Sequence, residues 1–201
     1  MKALVIVDLQ NDFFENGALA VPESNSIIPV VNNIVDKFDT LIFTKDWHPA
    51  KHKSFATNHK DKKVFDLIKL NNIDQILWPV HCVQNSFGAE IHKDIKIPKT
   101  ACFVTKGSDV EVDSYSGFFD NGKIHSTELN NVLKKKNISD VYFCGLATDF
   151  CVKYTVIDAL ALKYNSFLIA DATKAVVSNN FNKSLNELVE KGAKIIYSKD
   201  L

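Results

Sequence analysis

Six short apolar runs, set apart by stretches long enough to hold a helix, constrain this chain more than anything else in it. Residues 2–7, 40–44, 101–105, 140–144, 166–170 and 194–197 are rich in Val, Ile and Phe and have the length of strands. Between the first two, Ile27, Val31, Ile34 and Phe38 recur at helical spacing, with Pro29 in the first turn, where its missing N–H costs little. A second stripe, Phe181, Leu185, Leu188 and Val189, ends at Gly192, a normal helix stop. Residues 148–164 predict a third helix, apolar around most of its circumference, with Thr148 as its N-cap. Apolar strands alternating with helices need cover on both faces. The pattern therefore predicts an α/β protein, a three-layer α/β/α arrangement around a central, mostly parallel six-stranded sheet.

The length of 201 residues fits one domain, 1–201, with no repeat or linker to divide it. The 24 basic and 24 acidic residues cancel, so no global field recruits nucleic acid or an anionic membrane. Every basic residue is lysine. Without a guanidinium fork for bidentate recognition, a neutral substrate is favoured over an acidic one. Asp8 cuts short the first apolar run, and no stretch approaches the ~18 apolar residues of a membrane span. Cys82, Cys102, Cys144 and Cys151 show no CxxC pairing, which fits free thiols in a reducing cytoplasm.

In doubly wound sheets, ligands bind at the carboxyl ends of the strands. Asp8, Asp46, His48, Lys106 and Cys151 all fall just past predicted strand ends. Cys151 lies in the first turn of a helix, where the dipole favours a thiolate and backbone N–H groups can receive an oxyanion; a plain buried cysteine is the competing reading. Asp8 ends an apolar strand, where desolvation raises a carboxyl pKa toward the range of acid–base work. Lys106 can offset negative charge on both. Asp46 and His48, with His81 as a third candidate, suit a divalent metal such as Zn, Fe or Mn. His52 and His59 lie near enough in sequence to contribute. Phe13 and Trp78 suit the walls of a pocket for a flat aromatic ligand, or plain core.

The segments Val5-Ile6-Val7-Asp8-Leu9-Gln10-Asn11-Asp12-Phe13, Thr44-Lys45-Asp46-Trp47-His48-Pro49, Trp78-Pro79-Val80-His81-Cys82, Thr105-Lys106-Gly107, Tyr115-Ser116-Gly117-Phe118 and Gly145-Leu146-Ala147-Thr148-Asp149-Phe150-Cys151 carry a resemblance. Over nearly its whole length the chain resembles the nicotinamidase/pyrazinamidase branch of the isochorismatase-like cysteine hydrolases. That resemblance implies a catalytic triad of Asp8, Lys106 and Cys151, and a divalent metal, zinc first with iron or manganese as alternatives, on Asp46, His48 and His81. It also implies a cis peptide at Leu146–Ala147 and an oxyanion hole from the Ala147 and Cys151 amides. Phe13 and Trp78 would sandwich the ring, with Tyr115 close by. His52 stands in a differently spaced segment and is left out of the ligand set. The implied reaction is hydrolysis of nicotinamide, or a related aromatic carboxamide, to the acid and ammonia, a step of NAD salvage. The alternatives are a relative acting on isochorismate, ureidoacrylate or a carbamoyl amide, and a non-catalytic binding protein on the same fold. Metal identity and homo-oligomerisation stay open.

Overall fold

Residues 1–201 are described by a computed structural model. The first apolar run becomes strand β1 (Lys2–Val7), buried from Ala3 onward. Its side chains alternate between two separate cores. Leu4 and Ile6 join Val31 and Ile34 of helix α1 (Ile28–Ile34) on one face. Ala3, Val5 and Val7 join residues of three helices on the other: Leu129 and Leu133 of α2 (Leu129–Lys135), Val156 and Ala159 of α3 (Lys153–Ala161), and Leu188 of α4 (Asn180–Glu190). A strand covered on both faces must be apolar at every position, which is why this run reads as continuous rather than alternating. The three predicted layers are present.

The sheet is completed by β2 (Thr40–Asp46), β5 (Cys102–Lys106), β6 (Asp140–Leu146), β7 (Asn165–Lys174) and β8 (Lys194–Ile196), while β3 (Leu67–Leu70) and β4 (Ile73–Ile76) pair apart from it. The strand order is β5-β2-β1-β6-β7-β8 and all five pairings are parallel. From β1 the chain winds outward to β2 and β5, then returns to place β6 on the other side of β1. The strand order reverses there, opening a crevice beyond the carboxyl ends of β1 and β6.

The irregular span after β2 contains one regular unit that periodicity did not reveal, the antiparallel hairpin of β3 (Leu67–Leu70) and β4 (Ile73–Ile76). Its two-residue turn, Asn71–Asn72, has both residues at positive φ (51° and 64°), a conformation that asparagine tolerates better than most. Helix α2 was likewise not foreseen. The helix expected over 148–164 is split: residues Thr148–Val152 form a single wide π-turn before α3 begins. Thr148 does not cap it. Its hydroxyl is buried against Thr173 at 2.7 Å, which turns it away from the helix amides, and Ala147 holds the N-cap position. Phe38 lies beyond α1 in extended backbone, packed edge-on to Tyr142. Val189, expected on the apolar stripe of α4, faces solvent.

At Gly145, near the end of β6, φ is +110° and a Cβ would sit 2.1 Å from the Val7 carbonyl oxygen. Gly145→Ala is expected to destabilise the protein by about 3 kcal/mol or more, since both the φ value and the contact exclude a side chain; urea denaturation of the two proteins measures this.

Candidate active site

Four strands deliver the reactive groups to one edge. Asp8 directly follows β1, Asp46 ends β2, Lys106 ends β5, and Cys151 lies in the turn after β6. Asp46 and Lys106 are register partners across the β2–β5 pairing, so their side chains leave the sheet edge together. The Lys106 Nζ lies 2.5 Å from Asp46 Oδ1, 2.9 Å from Asp8 Oδ2, 2.9 Å from the Ser114 carbonyl and 3.3 Å from Cys151 Sγ. All four side chains are buried. An ammonium carries three protons, and Asp46, Ser114 and Cys151 accept them as hydrogen bonds. Asp8 Oδ2 feels the cation but receives no hydrogen bond. It is a buried acceptor left open.

The two carboxylates are held by different means. Asp8 sits in the left-handed region at φ 49°, kept there by Thr44, whose hydroxyl donates to Asp8 Oδ1 at 2.6 Å and accepts the Asp8 amide at 3.2 Å. Asp46 is fixed through its backbone by the side chain of Gln10, which accepts the Asp46 amide and donates to its carbonyl, both at 2.7 Å. Asp12 reaches across to accept the Cys82 amide at 2.7 Å, tying the loop after β1 to the segment that carries His81. In the sequence Thr44, Gln10 and Asp12 stand only as members of longer motif segments. Their burial or cross-links, invisible in a single sequence, reveal these roles.

Burial alone would strip the charge from Lys106, but Asp46, Asp8 and Cys151 more than offset it and hold the pKa well above the usual lysine value. Asp46 is pulled well below the carboxylate range, because Lys106 and His48 outweigh its own desolvation. Asp8 goes the other way: burial raises its pKa, Asp46 adds to the rise, and Lys106 does not fully counter them. Burial also pushes the Cys151 thiol well above its usual range against the pull of Lys106. Desolvation thus works against the thiolate that a helix start would favour, and the thiol lies beside the Asp8 carboxyl.

On its second oxygen, Asp46 faces two imidazoles: His48 Nε2 at 3.7 Å and His81 Nε2 at 3.8 Å. His48 Nδ1 contacts the Gly107 carbonyl at 2.7 Å, and His81 Nδ1 contacts the Pro79 carbonyl at 2.8 Å. A carbonyl only accepts, so both histidines carry a proton on Nδ1 and turn Nε2 toward the carboxylate. Three atoms able to ligate a metal converge there, and carbonyl-fixed imidazoles are the usual support of metal ligands. Burial and the neighbouring His48 push the His81 pKa down to about 4, keeping that ring neutral. Gly107, at φ +65°, permits the close approach: a Cβ there would lie 2.4 Å from the His48 ring. His52 stacks behind His48 at 4.4 Å, but both its nitrogens are taken. Nδ1 accepts the Ser54 amide and Nε2 lies 3.3 Å from the Val112 carbonyl, so the structure also leaves His52 outside the trio. His59 is bonded to the Lys53 carbonyl and takes no part.

A mostly apolar pocket opens onto Cys151, Asp46 and His81, walled by Phe13, Trp78, Tyr115 and Phe150. Trp78 stands edge-on to Phe150 at 4.8 Å and to Tyr115 at 6.2 Å, so these rings meet edge to face around the pocket. Ala147, joined to Leu146 by a cis peptide as the resemblance implied, lines the same pocket beside Cys151. Phe150 and Asp113 line it as well and had not been singled out in the sequence. No helix is long and apolar enough to cross a membrane.

A family model of the isochorismatase domain matches residues 2–200, and the chain belongs to the isochorismatase family. Within that family its likeness is to the nicotinamidase/pyrazinamidase branch of amidohydrolases. It is 42% identical over 200 residues to the nicotinamidase of Acinetobacter baylyi, covering 99% of this chain and 94% of that one. A yeast nicotinamidase solved with the inhibitor nicotinaldehyde superposes with a TM-score of 0.95 at 32% identity, covering 98% of this chain and 100% of that one. A pyrazinamidase from Pyrococcus horikoshii solved in complex with zinc superposes with a TM-score of 0.82 at 34% identity, covering 98% of each chain.

Because Thr44 satisfies both the amide and one carboxylate oxygen of Asp8, Thr44→Val should cost about 1–3 kcal/mol of stability and lower turnover as well, readable from denaturant melts alongside rate measurements.

Proposed function

We infer that this protein hydrolyses nicotinamide, and related aromatic carboxamides such as pyrazinamide, to the corresponding acid and ammonia through a thioester on Cys151. The observation that carries the reading is the meeting of Cys151 Sγ with Lys106 at 3.3 Å, beside Asp8, in an aromatic slot bordered by Asp46 and His81. Flat aromatic walls suit a pyridine ring, and the inhibitor in the yeast relative is such a molecule.

Asp8 takes the thiol proton onto its open oxygen; its raised pKa makes it the better base, and Lys106 stabilises the thiolate so formed. The Cys151 thiolate forms a bond to the carboxamide carbon, and the backbone amides of Ala147 and Cys151 receive the resulting oxyanion. As the C–N bond breaks, protonated Asp8 gives its proton to the leaving nitrogen and ammonia departs. A water then attacks the thioester while Asp8 accepts its proton; cleavage of the C–S bond returns the thiol and releases the acid. Phe13, Trp78 and Tyr115 hold the ring so that the carboxamide meets Sγ. Asp46, His48 and His81 would hold a divalent metal, zinc first on the donor set, which when bound supplies a Lewis acid that orients the ring nitrogen and activates water. The four free cysteines fit a cytoplasmic setting.

Ammonia release from nicotinamide by the purified protein tests the reading. Cys151→Ala should abolish it while leaving the fold intact, and substantial residual turnover would remove the nucleophile assignment. The metal reading has its own readout in elemental analysis: His81→Ala should lose bound metal, whereas His52→Ala should keep it at about one ion per chain.

A further inference from the structure

The hairpin β3–β4 stands apart from the central sheet, and Gln75 is the one residue of its two strands that is buried, at 1% exposure. A buried glutamine on a solvent-facing hairpin is costly unless its amide is used. Here it is used heavily. Its Nε2 lies 2.7 Å from the Ile76 carbonyl, 3.0 Å from Asp113 Oδ2 and 3.3 Å from Tyr115 Oη. The carboxylate of Asp113 only accepts, so it sets which end of the amide faces it. Asp113 is anchored in turn by accepting the Ser114 amide at 2.7 Å. Tyr115 Oη also accepts the indole N–H of Trp78 at 3.2 Å.

Three consecutive residues thus do three jobs. Asp113 holds Gln75, the Ser114 carbonyl holds Lys106, and Tyr115 forms the pocket wall. Ring-to-ring packing among Trp78, Tyr115 and Phe150 is attractive over a range of tilts, so dispersion alone does not settle how far apart the walls stand. Directional hydrogen bonds do. We propose that Gln75 is a positioning residue that sets the width of the ring slot: with Asp113 behind it, it pins Tyr115, and through Tyr115 it pins Trp78. The slot thereby admits a single six-membered aromatic ring and excludes wider carboxamides. This rests on the amidohydrolase reading above and adds a determinant of its substrate size.

The test compares ammonia release from nicotinamide and from the bicyclic quinoline-3-carboxamide, for the wild type and for Gln75→Leu. The leucine keeps the volume and removes the donor. The expected result is a KM for nicotinamide raised about tenfold with kcat changed less than about threefold, because the walls loosen while Lys106 keeps its Ser114 contact. The preference for nicotinamide over the bicyclic amide, as a ratio of kcat/KM, should fall by about tenfold or more. Tyr115→Phe removes only the accepting oxygen, guards against misfolding of the first variant, and should shift KM and selectivity in the same direction. Unchanged KM and selectivity in both variants, or loss of kcat with KM intact, overturns the proposal while the function stands. A wild type that releases no ammonia overturns the function and this proposal with it.

Discussion

One buried ammonium organises the site. Taking the Lys106 charge out of water costs several kcal/mol, and only the two carboxylates within reach, Asp8 and Asp46, make it tolerable. Each of these partners comes from a different strand end, so the ion cluster forms only when β1, β2 and β5 are in register. Two carboxylates against one ammonium leave a surplus negative charge in a dry place. That surplus is aimed, through the second oxygen of Asp46, at the Nε2 atoms of two imidazoles. The chemistry of a nucleophile pocket and the attraction for a cation therefore share a single electrostatic cause.

The cluster also sets how the thiol behaves. A cysteine at the start of a helix is often read as an activated thiolate, yet here burial outweighs the pull of Lys106. Activation is delegated to Asp8, whose pKa is raised by the same desolvation and whose Oδ2 is left without a donor. Burial raises the pKa of both groups, and a proton passed from Cys151 to Asp8 would move one negative charge between them beside a cation already in place. The strained backbone of Asp8 belongs to the same arrangement, since the Thr44 hydroxyl holds it at both its amide and its carboxylate.

Around this centre the loops divide the labour. The segment after β2 brings His48, Trp78 and His81, and the hairpin within it adds Gln75; the segment after β5 brings Gly107 to His48 and Ser114 to Lys106. These stretches look irregular because their side chains are arranged for contacts with one another rather than for a repeating face.

Much of this was legible in the chain. The continuous apolar character of β1 announced a strand covered on both faces, and alternation with helices announced the layers. Reactive residues at strand ends located the crevice, since a parallel sheet sends its carboxyl ends to one side. Motif segments supplied the residue types for the triad and the three prospective metal ligands. What the chain could not show was decided by contacts between distant segments. Thr148 looks like a cap until Thr173, on another strand, claims its hydroxyl. His52 looks like a ligand candidate until Ser54 and Val112 occupy its nitrogens. Gln10, Thr44, Gln75 and Asp113 look ordinary until burial makes every one of their hydrogen bonds count. Local pattern determines which elements form and which chemical groups they carry; only packing sets desolvation and hydrogen-bond partners, and those decide protonation, orientation and role.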